Sequence, residues 1–308
     1  MSRPTRVLVT GAGGQVGVDL MDMLNGVTPP GGDPSFQPDG RAIDASEFEA
    51  LGLTHHELDV TDRDEVARAL AAAQPDVIVH LGAYTAVDRA EEDAERCFEV
   101  NEIGTLVMSH GAHDVGARLI TISTDYVFDG TKGAGYVEYD EAHPLNVYGA
   151  SKREGELHCS DRDTIVRTSW VMGVRGKSVA HVIADRALSG ASVRFVDDQM
   201  GTVTAASDLA RALVTLVREP PGGVWHVANP GATTWFDVAK FIGGVLNRSE
   251  DFATPISTSE LTPPPLATRP ARSDLDTEKF SSTWSALPDW RDALERLVVE
   301  RERFEGRR

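Results

Sequence analysis

Tyr148 and Lys152 stand four residues apart in the run Tyr148-Gly149-Ala150-Ser151-Lys152. On a helix that spacing puts both side chains on one face, one turn apart. A phenol ordinarily ionises at about pH 10, and a fixed ammonium beside it favours the phenolate. The pair is therefore suited to trading a proton with a reacting oxygen. The sequence has only five tyrosines and five lysines among 308 residues, so composition alone seldom produces the spacing. The competing reading is an amphipathic surface pair or a cation–π contact. The choice rests on whether the rest of the chain builds a site around this helix.

A phosphate-binding turn opens the chain. Residues 6–10 are a short apolar run, and Gly11, Gly14 and Gly17 follow, with Val16, Leu20, Met21 and Leu24 at helical spacing. Strand, glycine turn and helix in that order make a first βα unit. Gly11 serves the tight turn, Gly14 the backbone's approach to a pyrophosphate, and Gly17 close helix–strand packing. Gln15 and Val16 lie within the turn, and Val16 occupies the last position of the stricter Gly-x-Gly-x-x-Gly form.

Residues 26–46 carry turn formers such as Pro29, Pro30, Gly31, Gly32 and Pro34 without periodicity. They read as an inserted surface loop, a tolerated insertion in preference to a lid. A second strand is expected at 48–54, ending in Thr54, His55 and His56. Chains that use NAD often end this strand in an acid that holds the ribose 2′-hydroxyl. Its lack here favours NADP(H), with NAD(H) remaining open.

Further strands are expected at 58–60, 76–81, 118–123 and 164–167, and a helix at 65–73 behind a capping-box-like start. Gly82, Ala83, Tyr84 and Thr85 follow the strand at 76–81, and an acidic segment at 91–99 runs into a helix carrying Asn101. Thr124 and Asp125 follow the strand at 118–123, and Ser169 and Trp170 that at 164–167. Such alternation predicts an α/β fold, a Rossmann-like doubly wound parallel sheet. Ligands in these sheets sit outside the carboxyl ends of the strands, so the four segments should line one crevice. Residues 1–168 are expected to form the NAD(P)-binding domain. Residues 169–308 form a smaller C-terminal substrate-binding lobe interleaved with it. Helices are expected there at 179–188, 207–218, 235–246 and 289–303, strands at 193–196 and 224–227, and an extended ordered loop around Pro263 and Arg269.

The formal charge of −18, from 48 acids against 30 bases, argues against nucleic acid or an anionic membrane as partner. A small phosphorylated ligand stays compatible, because local donors outweigh a screened global field. No apolar run is long enough to span a bilayer, and no signal peptide is expected. Cys97 and Cys159 offer neither a disulfide framework nor metal-ligand spacing, and the histidines show no metal spacing either. A cytoplasmic protein without a metal is expected.

Taken together, the glycine start, the strand-end Ser123-Thr124 and the Tyr148/Lys152 pair resemble the extended short-chain dehydrogenase/reductases, and within them the dTDP-4-dehydrorhamnose reductase family. The run Ser123-Thr124-Asp125-Tyr126-Val127-Phe128-Asp129-Gly130 and Arg167-Thr168-Ser169-Trp170 carry most of the likeness. Residues 83–88, Pro144 to Gly149, Asp198-Gln199 and 275–280 extend it through nearly the whole chain. The resemblance implies that Tyr148 gives a proton to a sugar C4 keto oxygen while a nicotinamide delivers hydride to C4. It implies that Lys152 holds the nicotinamide ribose and lowers the tyrosine's pKa, and that Thr124 bonds the same oxygen. Gly14, Gln15 and Val16 would meet the pyrophosphate, Asp59 and Val60 the adenine, and Ala83, Tyr84 and Thr85 the inner cofactor. Asp125 and Trp170 would touch the nucleotide sugar, and a homodimer is compatible. Val203 replaces a proline and Met172 an aromatic of the family pattern, which bears on the sugar more than on the reaction. Two alternatives stand beside this reading: an epimerase or dehydratase of the same superfamily, and a non-catalytic, reductase-like regulatory subunit.

Overall fold

The runs Val7-Leu8-Val9, Val77-Ile78-Val79 and Leu119-Ile120 are almost wholly shielded from solvent, as parallel strands covered on both faces must be. The computed structural model describes residues 3–304. Its first half runs β1 (Thr5–Thr10), α1 (Gln15–Leu24), β2 (Phe48–Leu53), α2 (Arg63–Ala73), β3 (Val77–His80), α3 (Val87–Ala90) and α4 (Ala94–Phe98). A π-helical stretch, Glu99–Ile103, leads into α5 (Gly104–Val115), β4 (Arg118–Thr124), α6 (Val147–Leu157) and β5 (Thr164–Thr168). Then come β6 (Val171–Met172), α7 (Val179–Leu188), β7 (Val193–Val196), β8 (Met200–Thr202), β9 (Thr204–Ala205) and α8 (Ala206–Arg218). The chain closes with β10 (Gly223–His226), β11 (Ala232–Thr234), α9 (Trp235–Val245), β12 (Ala253–Ile256), α10 (Glu278–Thr283) and α11 (Trp290–Phe304).

Six strands form one sheet in the order β10-β5-β4-β3-β1-β2, every pairing parallel. The chain leaves β1 for β2 on one side and returns past β1 to β3 on the other. Strand order therefore reverses between β1 and β3, which places the ligand crevice at their carboxyl ends. This is the Rossmann-like doubly wound fold expected from the alternation. Leu209, Leu213 and Leu216 of α8 join Leu20 and Leu24 of α1 over Val7 and Val9 on one face. On the other face Val66 and Leu70 of α2 meet Met108 of α5 and Ile78. A separate cluster, including Met172, Ile183, Val193, Ile242, Trp290 and Leu294, holds α7, α9 and α11 together. Residues beyond 168 return to the main sheet, because β10 pairs with β5 from Gly223 opposite Thr164 to His226 opposite Arg167. No helix among the described residues is long and apolar enough to cross a membrane.

One expected strand is absent. Residues 58–60 follow a turn at 55–57 without pairing in a sheet, because the backbone N–H groups of Glu57 and Leu58 both donate to the Thr54 carbonyl. The Asp59 carboxylate adds bonds from the N–H and hydroxyl of Thr61, at 3.0 and 2.7 Å. A short aspartate competes with sheet ladders in this way, and here the local bond wins over the β-propensity of Val60.

The 26–46 segment joins the carboxyl end of α1 to the start of β2 at the amino ends of the strands, and its Gly31 reaches back to the first turn of α8, where the Ser207 hydroxyl donates to the Gly31 carbonyl at 3.3 Å. It is firmly tied there. Arg218, the last residue of α8, donates to Asp39 at 2.7 Å, to both Glu47 oxygens at 3.1 and 2.7 Å, and to the Ala42 carbonyl at 2.9 Å. Phe36 and Ile43 pack on the main core, and Arg296 donates to the Gly31 carbonyl. The Arg218 side chain is 4 % exposed, so its removal takes the cation from Asp39 and leaves Glu47 with Arg41 alone. Arg218→Ala should cost about 3 kcal/mol or more of unfolding free energy, read from the urea midpoint at neutral pH.

Candidate active site

The turn after β1 is wedged against the segment after β3. Gly11 has φ +67°, and a Cβ there would stand 2.7 Å from the Leu81 carbonyl carbon. A Cβ on Gly17 would meet the Gly11 oxygen at 2.4 Å, so α1 starts directly under the turn. Gly14 caps α1 without any side-chain hydrogen bond. The first N–H groups of α1 thus meet no capping side chain, and their dipoles converge where a pyrophosphate fits. Val16 turns its side chain into the core. Gln15 reaches sideways: its Nε2 donates to the Lys177 carbonyl at 3.0 Å, and its stem packs against Gly176. Arg175 pairs with Asp22 at 2.6 Å, so the 173–177 segment lies along α1.

At the end of β2, Thr54 lies against Gly13. A carboxylate does reach this end from outside the strand, since Glu57 accepts from the Thr54 N–H and hydroxyl at 2.9 and 2.8 Å. His55 and His56 stand next to it with ring centroids 3.8 Å apart. Asp59 is exposed, while Val60 is buried beside Gly82 and Gly104. At the end of β3, His80 shares a 2.7 Å hydrogen bond with Thr10, and burial, then the charge of Lys152, pushes its pKa down to about 3. Its Nε2 is buried without a hydrogen-bond partner among the described residues.

Ala83, Tyr84 and Thr85 follow in a loop fixed by Asn101 from the π-helical stretch. The Asn101 amide accepts from the Tyr84 N–H at 2.9 Å and donates to the Tyr84 carbonyl at 3.1 Å. The same amide donates to Ser151 Oγ at 2.9 Å, and Ser151 donates to the Tyr148 carbonyl at 2.8 Å. One polar chain therefore links the loop after β3 to the helix that carries Tyr148 and Lys152.

Asn146 caps α6, accepting from the Gly149 N–H at 2.8 Å. Gly149 brings that first turn against the end of β4, where a Cβ would stand 2.1 Å from the Tyr126 carbonyl oxygen. Tyr148 thus projects from the helix beside Thr124 and Asp125, and Lys152, one turn further on, lies toward His80. Tyr148 is partly buried, and burial raises its phenol well above the ordinary value; a hydrogen bond with Thr124 opposes the rise and the charge of Asp125 adds to it. The expected lowering of this phenol by Lys152 is not found, because desolvation dominates. Lys152 is 5 % exposed and meets no ion-pair partner among the described residues. Burial lowers its pKa to about 8, partly offset by Glu156. A buried cation with no ion-pair partner among the described residues fits a ligand that brings ribose hydroxyls.

Asp125 is fully enclosed: Ser273 donates to it at 2.5 Å and Thr124 at 3.2 Å. Burial raises its pKa to about 6 despite these bonds. Trp170, at the end of β5, has φ +42°, rare for a bulky residue, and stacks on Trp235 at 4.0 Å. Its buried indole N–H has no hydrogen-bond partner among the described residues. The residues that sequence reasoning missed come from the extended loop near the carboxyl end. Arg269 grips Asp88 with two bonds of 2.6 Å, and Asn146 donates to the Thr268 carbonyl at 2.8 Å. That loop was expected to be ordered, but nothing in its local pattern signals Ser273 as a partner of Asp125. Among the described residues no group of three or more His, Cys, Asp or Glu is placed to hold a metal ion.

Two measurements test this geometry. Gly149→Ala forces the helix off the β4 turn, so kcat should fall at least about tenfold and the urea midpoint should drop. Asp125 binds its proton more tightly folded than unfolded. Its contribution to stability is full below about pH 4 and is lost as pH rises through about 6. Relative to the parent protein, Asp125→Asn should therefore gain stability between pH 4 and pH 7, by at most about 3 kcal/mol in urea unfolding.

The family model described as "RmlD substrate binding domain" matches residues 40–303. A dTDP-4-dehydrorhamnose reductase of Aggregatibacter actinomycetemcomitans is 33% identical over 307 residues, covering 95% of this chain and 98% of the relative. A dTDP-4-keto-6-deoxy-D-glucose reductase of Streptomyces niveus is 33% identical, covering 83% of this chain and 84% of its own. Among solved structures, the dTDP-4-dehydrorhamnose reductase of Bacillus anthracis in complex with NADP superimposes with a TM-score of 0.85. It is 30% identical and covers 97% of this chain and 100% of that one. Match and geometry agree, and the chain belongs to the dTDP-4-dehydrorhamnose reductase family of the extended short-chain dehydrogenase/reductases.

Proposed function

We propose that this protein uses NADPH to reduce the C4 ketone of dTDP-4-dehydro-6-deoxy-L-mannose, giving dTDP-L-rhamnose. The observation that carries this reading is Tyr148 beside Thr124 at the end of β4, with a buried Lys152 that lies toward His80 at the end of β3 and meets no ion-pair partner among the described residues. When bound, the reduced nicotinamide supplies hydride to C4. Tyr148 gives its phenolic proton to the C4 oxygen: the O–H bond of the phenol breaks, a new one forms on the sugar, and solvent reprotonates the phenolate. A phenol held neutral by burial is in the right state to donate. Thr124 aims a second donor at the same oxygen as negative charge develops there. Lys152 holds the ribose, and its charge steadies the transient phenolate.

The backbone of Gly14, Gln15 and Val16 holds the pyrophosphate, Asp59 and Val60 flank the adenine, and Ala83, Tyr84 and Thr85 the inner cofactor. Asp125 and Trp170 touch the nucleotide sugar. Residues 1–168 supply the cofactor side of the crevice, and the loops of 169–308 supply the sugar side. NADPH is preferred over NADH because Thr54, His55 and His56 leave no free acid for a 2′-hydroxyl: the nearby Glu57 is engaged by Thr54.

A second reading is favoured by the Streptomyces niveus relative, whose name gives a differently configured 4-keto sugar. NADPH and NADH oxidation with the L- and D-configured dTDP-4-keto-6-deoxy sugars decides between them, and the C4 stereochemistry of the product identifies the reaction. Tyr148→Phe should lower kcat by about 100-fold or more while NADPH affinity, followed by fluorescence, stays within about twofold. Turnover at the parental rate in that variant would overturn the proton-donor role.

A further inference from the structure

Lys152 works in a pocket that gives it no carboxylate in contact. Its surroundings can be named element by element. His80 of β3 is neutral, and Cys97 of α4 and Cys159 beyond α6 are protonated thiols whose pKa values burial raises. Tyr148 lies one turn before it on α6, and Glu156 one turn after. From β5, Arg167 holds Glu156 with two parallel bonds, Nε to Oε1 at 2.8 Å and Nη2 to Oε2 at 2.7 Å. Arg153 adds a third at 2.9 Å. The Glu156 and Arg167 side chains are 2 % and 3 % exposed, and the guanidinium also lies over the Phe128 ring at 5.1 Å. Burial alone would drive the Glu156 proton on, but Arg167 holds the carboxylate ionised, below its usual range.

We propose that Glu156, clamped by Arg167, is a positioning residue for the reaction: its fixed negative charge, one helical turn away, keeps the Lys152 ammonium charged. A carboxylate in contact with the amine would occupy the donors that Lys152 offers to ribose hydroxyls. One set back by a turn and locked by a second cation supplies the field and leaves those donors free. Its importance for catalysis rests on the reductase reading above; the charge relation itself does not.

The test follows the charge directly. The protein has five lysines, so 13C-labelled lysine gives five side-chain signals, and that of Lys152 is assigned by its loss in Lys152→Met. The parent signal should titrate at about pH 8. In Glu156→Gln the buried Arg167 is left in excess, and the midpoint should fall by about half a pH unit or more. Glu156→Asp keeps the charge and should hold the midpoint near the parental value. If Glu156→Gln does not fold, the paired variant Glu156→Met, Arg167→Met removes both charges and should also lower it. An unchanged midpoint in the charge-removing variant, or an equal fall in Glu156→Asp, overturns the proposal. Turnover against pH supplies the catalytic arm, with its alkaline fall moving down in step with the Lys152 midpoint. Absence of turnover with either ketosugar in the parent protein would count against the reductase reading, and the NMR midpoints would still decide the role of Glu156.

Discussion

The seating of α6 against its neighbours governs this active site. The helix touches the β4 turn through Gly149 and the π-helical stretch through Gly155, where a Cβ would lie 2.5 Å from the Asn101 carbonyl oxygen. Both contacts are backbone against backbone, the closest approach two elements can make. They place Tyr148, Ser151, Lys152 and Glu156 along a single face with little freedom to shift. Asn101 then reads the helix and the loop after β3 with one amide group. Spacing along the chain therefore becomes spacing in the crevice with few adjustable parts.

Low polarity around that helix moves four ionisable groups the same way, toward the neutral form. The Tyr148 phenol and the Asp125 carboxyl rise, while Lys152 and His80 fall. The overall charge of −18 has little say here, because each group responds to desolvation and to neighbours within a few ångströms. Full charges persist where an opposite charge and several hydrogen bonds meet them, as at Glu156 with Arg167 or Arg218 with Glu47 and Asp39.

Much of this was legible in the sequence, for physical reasons. Buried parallel strands need continuous apolar runs, and those at 77–80, 118–124 and 164–168 stand where the pattern placed them. Helices such as Val179–Leu188 announce themselves by period, and Tyr148 and Lys152 by their spacing on one. Short-range competition was harder to read: the Asp59 turn displaced a strand that Leu58 and Val60 seemed to promise. Long-range closure left no local mark at all. Ser273 meets Asp125 across 148 residues, and Arg269 meets Asp88 across 181, pairings that only the folded topology creates. The direction of the Tyr148 shift was misjudged because spacing reveals a neighbouring charge but not how much water the fold removes.

Helix α8 has a consequence of a different kind. It is buried along almost its whole length, lying on β1 through Leu209 and Leu213 while Asp208 reaches Arg296 of α11 at 2.8 Å. It covers the sheet and at the same time ties α11 to it. The chain is thus not a pair of exchangeable modules, and no cut near residue 168 would separate a cofactor half from a sugar half. Change outside that shared helix still reaches it: a Cβ on Gly173 would stand 3.1 Å from the Ala206 side chain, at the first residue of α8.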